Sequence, residues 1–98
     1  AIVIKKILKD IPDNIDWILR VDGHTDKTKF VSGVNFKDNW ELSQARALSV
    51  VRYFVNEESL PARRFAATGF GEFQPIDLGY TEEALARNRR IEIKLTER

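Results

Sequence analysis

Residues 17–26 read WILRVDGHTD. Trp17-Ile18-Leu19-Arg20-Val21 is β-branched and aromatic enough to predict a strand buried on much of both faces. Asp22-Gly23-His24-Thr25-Asp26 then gathers polar side chains around a glycine, the mark of a strand's end. Before this strand, Ile2, Ile4, Ile7, Leu8 and Ile11 recur at spacings of three and four, with Lys5, Lys6, Lys9 and Asp10 between them. That is the period of a helix. It has no N-cap, so it reads as the back half of a helix, ended by Pro12-Asp13-Asn14.

After the strand, residues 27–38 (KTKFVSGVNFKD) keep no period and read as a long loop. Loops of that length in a small domain are usually functional or mobile. Asp38-Asn39-Trp40-Glu41 is an acidic form of the capping box, with Asp38 placed to accept amide hydrogens and Glu41 to reach back. At 100° per residue, Ala47, Leu48, Val50, Val51, Phe54 and Val55 share one face, and Glu41, Ser49, Arg52 and Asn56 the other. The pattern predicts an amphipathic helix of about four turns lying on a core, with Arg46 at the border of its apolar face. Ser59-Leu60-Pro61 suggests a cap followed by proline in an opening turn. Phe65 to Gly71 reads as a second strand ending in glycines, and residues 74–79 as loop. Thr81-Glu82-Glu83 opens a short helix, since acidic residues favour a first turn. Ile91, Ile93 and Leu95 alternate with Glu92, Lys94 and Thr96, the signature of a half-buried strand. The order helix, strand, helix, strand, helix, strand predicts an α/β sandwich, with helices on at least one face of a mixed sheet.

Ninety-eight residues make a single domain, 1–98, with no room for a second core. Sixteen basic against fifteen acidic residues leave a net charge of +1, too flat for the basic stripe of a nucleic-acid binder. No apolar run approaches the roughly 18 residues of a membrane span. The chain has no cysteine, so disulfides, thiolate metal sites and cysteine nucleophiles are excluded together. It also has no methionine, which makes it read as a fragment of a longer protein whose signal peptide or membrane anchor lies upstream.

Ligands of open α/β sheets gather beyond the carboxyl ends of the strands. Asp26 lies just past such an end, and Arg46 lies in the helix fed by the following loop. A carboxylate and a guanidinium at one rim match a zwitterion: the aspartate takes an ammonium, and the arginine grips a carboxylate through two parallel hydrogen bonds. The same two residues could instead bridge one another as an ordinary surface ion pair.

Four motifs bear on that choice: Gly23-His24-Thr25-Asp26; Asn39 followed by Leu42-Ser43-x-x-Arg46-Ala47; Gly69-Phe70-Gly71-Glu72 with Pro75; and Asn88-Arg89-Arg90-Ile91-Glu92. In this order, over residues 17–97, they resemble the OmpA-like peptidoglycan-binding domain. The wording Asn39-Trp40-Glu41-Leu42-Ser43 is most similar to the MotB-like, membrane-anchored members. The resemblance implies a mixed sheet with helices on one face, and a first family strand missing from this chain, which leaves an edge to be covered. It implies non-covalent binding of the diaminopimelate residue of a peptidoglycan stem peptide, anchoring a larger envelope protein, stator-like or envelope-bracing, to the cell wall. Asp26 is then expected to meet the ligand's ammonium and Arg46 its carboxylate, with Asn39, Thr25 and Leu42 lining the site and Arg89 bordering it. The implied setting is the periplasm of a Gram-negative envelope, with a homodimeric parent protein that meets a membrane only through its upstream segment. No cofactor, metal or nucleic-acid partner is implied.

The remaining features have plainer explanations. His24 and Asp26 could hold a metal on one strand face, but a single histidine without a further cluster is better explained as hydrogen-bonded structure. Gly69-Phe70-Gly71 lacks the third glycine and the Lys-Ser/Thr ending of a phosphate loop, and a tight turn explains it. Arg87, Arg89 and Arg90 are diluted by Glu82, Glu83 and Glu92, which suggests a solvated face. Trp17 and Trp40 read as core and staple residues, and Ser43, with no evident base, as a cap or packing residue. Two other functions stand against wall binding: a small periplasmic hydrolase with His24 as base and Asp26 orienting it, and a dimerisation or assembly domain without ligand. The first lacks an obvious nucleophile, metal or oxyanion hole, so the chain reads as a binding module rather than an enzyme.

Overall fold

A computed structural model describes residues 2–28 and 36–98. Its elements follow the expected order: α1 (Ile2–Lys9), β1 (Trp17–His24), α2 (Asn39–Asn56), β2 (Phe65–Gly69), α3 (Glu82–Asn88) and β3 (Arg90–Glu97). The sheet runs β2-β1-β3, with β1 parallel to β2 and antiparallel to β3, so it is mixed as expected. The centre of the long loop, residues 29–35, lies outside the described residues.

The alternation of a strand sorts β1 into two faces. Leu19, Val21 and Gly23 point toward the helices, and their register partners on β3 are Leu95, Ile93 and Ile91. On this side Val21 and Ala47 are fully buried and Phe54 nearly so. The Phe54 and Phe65 rings stack at 5.7 Å, and Leu19 lines a small apolar cavity together with Ile4, Ile7 and Leu8 of α1. The other face carries Arg20, Asp22 and His24 on β1 against Lys94, Glu92 and Arg90 on β3. There Arg20 grips Asp22 through Nε at 2.8 Å and Nη2 at 3.0 Å, Arg90 Nε donates to Glu92 at 2.5 Å, and Lys94 lies 3.6 Å from Glu92.

Two glycines decide how closely α2 approaches the sheet. Gly23 and Gly69 are register partners on β1 and β2. A Cβ at Gly23 would stand 2.2 Å from the Ser43 carbonyl oxygen, and one at Gly69 would stand 2.6 Å from the Gln44 amide nitrogen. Only bare backbone fits beneath this part of α2. Ser43, itself fully buried, uses the contact: its hydroxyl donates to the Trp40 carbonyl at 3.0 Å and accepts the Gly71 amide at 2.9 Å.

Several details depart from expectation. The α2 helix runs 18 residues, five turns rather than four. Asp38 caps it by accepting the Glu41 amide at 2.9 Å. Trp40 is 56% exposed and packs on Phe73, with ring centroids 4.6 Å apart, instead of stapling the helix to the core. Trp17 is half-buried, with the Arg64 guanidinium 4.9 Å over its ring. Ser59 is not a cap: it takes a left-handed φ of 56°, and Pro61 precedes a single 3-10 turn at Ala62–Arg64. Ile91, Ile93 and Leu95 face the helical side but remain 38–48% exposed. The reason is lateral, since α2 packs on β1 and β2 while β3 forms the sheet's edge beside the two short turns of α1.

The close approach makes a direct prediction. Gly23→Ala drives a methyl into helix backbone and is expected to cost about 2–3 kcal/mol. A thermal melt followed by circular dichroism should then show Tm lowered by roughly 10–20 °C.

Candidate functional site

The carboxyl end of β1 is fastened to the turn after β2. Phe70 donates its amide to the Gly23 carbonyl at 3.0 Å, and Thr25 donates its amide to the Gly71 carbonyl at 2.9 Å. Gly71 makes that turn with a φ of +64°. This fastening carries Asp26 to the rim, where it is only 7% exposed. One carboxylate oxygen accepts the Thr28 amide at 2.8 Å, and the other accepts Arg89 Nη1 at 2.6 Å. Burial alone would raise the Asp26 carboxyl, but the hydrogen bonds from Thr28 and Arg89 outweigh it and hold the group below its usual range.

Arg89 follows α3, where its amide closes the helix on the carbonyls of Leu85 and Ala86. Its guanidinium forks: Nη1 serves Asp26, and Nη2 makes a short hydrogen bond to Glu82, seven residues earlier. The same guanidinium lines a cavity of about 150 Å³ whose other walls are His24, Arg46, Arg90 and Ile91. Arg90 is fully committed there, through Glu92, the Asn88 carbonyl at 3.4 Å and the Gln74 carbonyl at 2.9 Å. Arg46 is exposed, and among the described residues it makes no hydrogen bond or ion pair. The cavity therefore offers an unpaired guanidinium and a positive wall; Asp26 is not among its lining residues and connects to it through Arg89. Such a lining suits an entering carboxylate.

The expected site residues divide between two places. Arg46 and Arg89 meet at the cavity, and Arg89 joins it to Asp26. The surface bridge that sequence pattern allowed between Asp26 and Arg46 is absent, because Arg89 occupies the carboxylate. Thr25 and Asn39 are buried on the other side of Asp26. The Thr25 hydroxyl donates to the Asp26 carbonyl at 3.0 Å, and Asn39 Nδ2 donates to the Thr28 carbonyl at 3.3 Å and to Glu72 at 3.2 Å. Leu42 is half-buried one turn before Arg46 and is not among the cavity's lining residues. Sequence reasoning missed Arg90 and His24 as walls and Glu82 as the second partner of Arg89. The signal for Glu82 was its seven-residue spacing, which stacks two side chains on one side of a helix. Asn88 is buried and organises the neighbouring loop: its Oδ1 accepts the Ile76 and Asp77 amides, and its Nδ2 donates to the Asp77 carbonyl at 2.8 Å.

His24 corrects an expectation. It is 5% exposed, yet neither ring nitrogen has a hydrogen-bond partner among the described residues. Its ring lies parallel to Phe70 at 5.0 Å, and Nε2 stands 3.8 Å from Glu92. Asp26 does not orient it, so the His24–Asp26 pair of the alternative hydrolytic reading is not assembled. Asp22, His24 and Glu92 do bring possible metal-ligand atoms within 4.8 Å of one another. The two carboxylates already face Arg20, Arg90 and Lys94, however, and that surplus of positive charge repels a cation. Arg87, Arg89 and Arg90 are all ion-paired, to Asp77, Asp26 with Glu82, and Glu92 respectively; Arg87 lies on a solvated face as expected, whereas the Arg90 side chain is only 16% accessible.

Burial, and after it the Arg90 charge, lower the His24 pKa below 6.5. The unfolded chain thus binds more protons than the folded one just below that value, and stability rises with pH. The contribution is complete above about pH 6.5 and is lost as pH falls through the lowered folded value. His24 is the only histidine, and the carboxylates shifted here, Asp26, Asp77 and Glu92, all shift downward, out of this window. Urea melts between pH 5 and 7 should show stability increasing with pH in the native sequence and a flat profile in His24→Phe.

Comparison with known proteins places the chain. Residues 2–89 match the model of the OmpA family, and the chain belongs to that family. It is 41% identical over 87 residues to the uncharacterized protein YtxE of Bacillus subtilis, covering 89% of this chain. It is 34% identical over 74 residues to the peptidoglycan-associated lipoprotein of Pseudomonas aeruginosa, covering 76% of this chain. The chain spans 34% and 40% of the lengths of these two relatives. Among solved structures, the periplasmic domain of MotB from Helicobacter pylori superposes with a TM-score of 0.81 at 26% identity, over 97% of this chain and 58% of that one.

Proposed function

We propose that this OmpA-family domain binds peptidoglycan through the diaminopimelate residue of the stem peptide and so anchors a larger envelope protein to the cell wall. The observation that carries the reading is the unpaired Arg46 guanidinium facing a small cavity, with the buried Asp26 carboxylate held just behind Arg89. Those two charges match the free end of diaminopimelate, an ammonium and a carboxylate on one carbon. The name of one similar protein, a peptidoglycan-associated lipoprotein, points the same way, and the periplasmic domain of MotB fits the envelope setting.

In this reading Arg46 takes the ligand carboxylate in a two-pronged hydrogen bond. Asp26 takes the ammonium, and its depressed pKa keeps it ionised throughout the neutral range. Thr25 and Asn39 hold the segment of Asp26 in place through the backbone contacts described above, and Arg90 pins the loop at Gln74 against β3. No bond is made or broken. The domain is a binding module of the periplasm, and its parent protein, taken to be a homodimer, is tied to a membrane outside this chain.

Arg46→Ala and Asp26→Asn should each lower retention on sedimented diaminopimelate-type sacculi by at least tenfold, which corresponds to about 1.4 kcal/mol or more. The Arg46→Ala melt should stay within about 0.5 kcal/mol of the native one, because an exposed, unpaired side chain is removed. Lysine-type sacculi, lacking the second carboxylate, should be retained poorly by the native domain. Unchanged retention of both variants rejects the assignment.

A further inference from the structure

We infer that Arg89 is a built-in competitor for the ammonium site, still compensated by Glu82 when it is displaced, and that it sets the selectivity of the pocket. The inference rests on the wall-binding reading of the same site and deepens it.

Three observations combine. The anionic half of the site is occupied: Asp26 is 7% exposed, and its outer oxygen already holds Arg89 Nη1 at 2.6 Å. The cationic half is open, since Arg46 faces the cavity unpaired among the described residues. Arg89 also has a second carboxylate, Glu82, on its other terminal nitrogen. Asp26 and Glu82 differ sharply in exposure, with side chains 9% and 75% accessible. Arg89 can therefore leave the buried partner without losing all compensation, and Glu82 can follow it into solvent.

An ammonium reaching Asp26 must take the place of this guanidinium, because a buried carboxylate without a cation is costly. The exchange swaps one ion pair for another and by itself favours the ligand little. A ligand that also brings a carboxylate gains Arg46, and it offers a second anion to the displaced Arg89. One that brings only an ammonium gains neither. The internal cation thus rejects amines that lack a neighbouring carboxylate, which is selectivity obtained by raising the threshold against the wrong ligand. Glu82 holds Arg89 already while it is bound to Asp26, so it keeps the displaced arginine partly compensated without changing the threshold itself.

Titration calorimetry with two soluble stem tripeptides, one ending in meso-diaminopimelate and one in lysine, tests this on the native domain, Arg89→Gln and Glu82→Gln. In Arg89→Gln the lysine peptide should bind roughly three- to tenfold more tightly, because Asp26 is no longer occupied. In Glu82→Gln both peptides should stay within about twofold of native binding, because the Glu82 contact is present with Arg89 on Asp26 as well. A gain for the lysine peptide in Arg89→Gln separates a competitor from simple structural support, which would weaken binding in that variant. Melts by circular dichroism check that each variant is folded. If the native domain binds the diaminopimelate peptide but Arg89→Gln does not improve lysine binding, the competitor is overturned and wall binding stands. If the native domain binds neither peptide, the wall-binding reading falls and the competitor falls with it.

Discussion

The geometry of the rim follows from a contact with no side chains on one side of it. Gly23 and Gly69 leave bare backbone on two neighbouring strands, and α2 settles onto that surface at Ser43 and Gln44. Asp26 lies three residues after Gly23, and Arg46 lies three residues, almost one helical turn, after Ser43. Docking the helix there brings the carboxylate's segment and the guanidinium to the same end of the sheet. The Ser43 hydroxyl then ties Gly71 to the helix, and the Gly71 carbonyl in turn accepts the Thr25 amide, so the three motifs close on one another through backbone atoms and one serine hydroxyl. A side chain at either glycine would push the helix outward and open the site before any charged residue had changed.

What that frame holds is an electrostatic arrangement with one open term. The charged face of the sheet is largely neutralised within itself, with Arg20 on Asp22 and Arg90 on Glu92. At the rim, Arg89 compensates Asp26. Arg46 is left over, and it faces the cavity. In a nearly neutral chain, an uncompensated guanidinium whose cavity neighbours Arg89 and Arg90 are committed makes a local field that net charge does not reveal. The cavity is small, so a carboxylate entering it must meet Arg46 at short range, and this converts a weak surface charge into a directed contact.

The fold was legible in the sequence because its strongest signals were local. The 100° period of α2, its Asp38 cap, the acidic first turn of α3 and the alternation of β3 each describe one element without reference to another. The misreadings came where a second element decides the outcome. Alternation at Ile91, Ile93 and Leu95 names a face of β3 correctly but cannot say that β3 is the sheet's edge, where the helices give it little cover. Trp40 looked like a staple from its place beside the cap, yet its ring rests on Phe73, thirty-three residues away. Motif order singled out Asp26, Arg46 and Arg89 together. It could not show that Arg89 rather than Arg46 holds Asp26, since that choice depends on where α3 ends relative to β1. The orphaned nitrogens of His24 were equally invisible, being a property of what surrounds the ring.

If, as proposed, a ligand's ammonium replaces the resident arginine, the exchange has a consequence for anchoring. The exchange at Asp26 conserves one ion pair and one buried carboxylate, so it contributes little net free energy. What remains is the carboxylate held by Arg46 in a cavity of about 150 Å³, open to water and salt. Each single site is then weak and quickly reversible. A protein held to a polymer through such sites gains its grip from number, because stem peptides repeat along the wall and a second site already near its target binds at high effective concentration. Weak individual contacts also let the attachment slide and re-form as the wall is cut and extended, which one tight site would prevent.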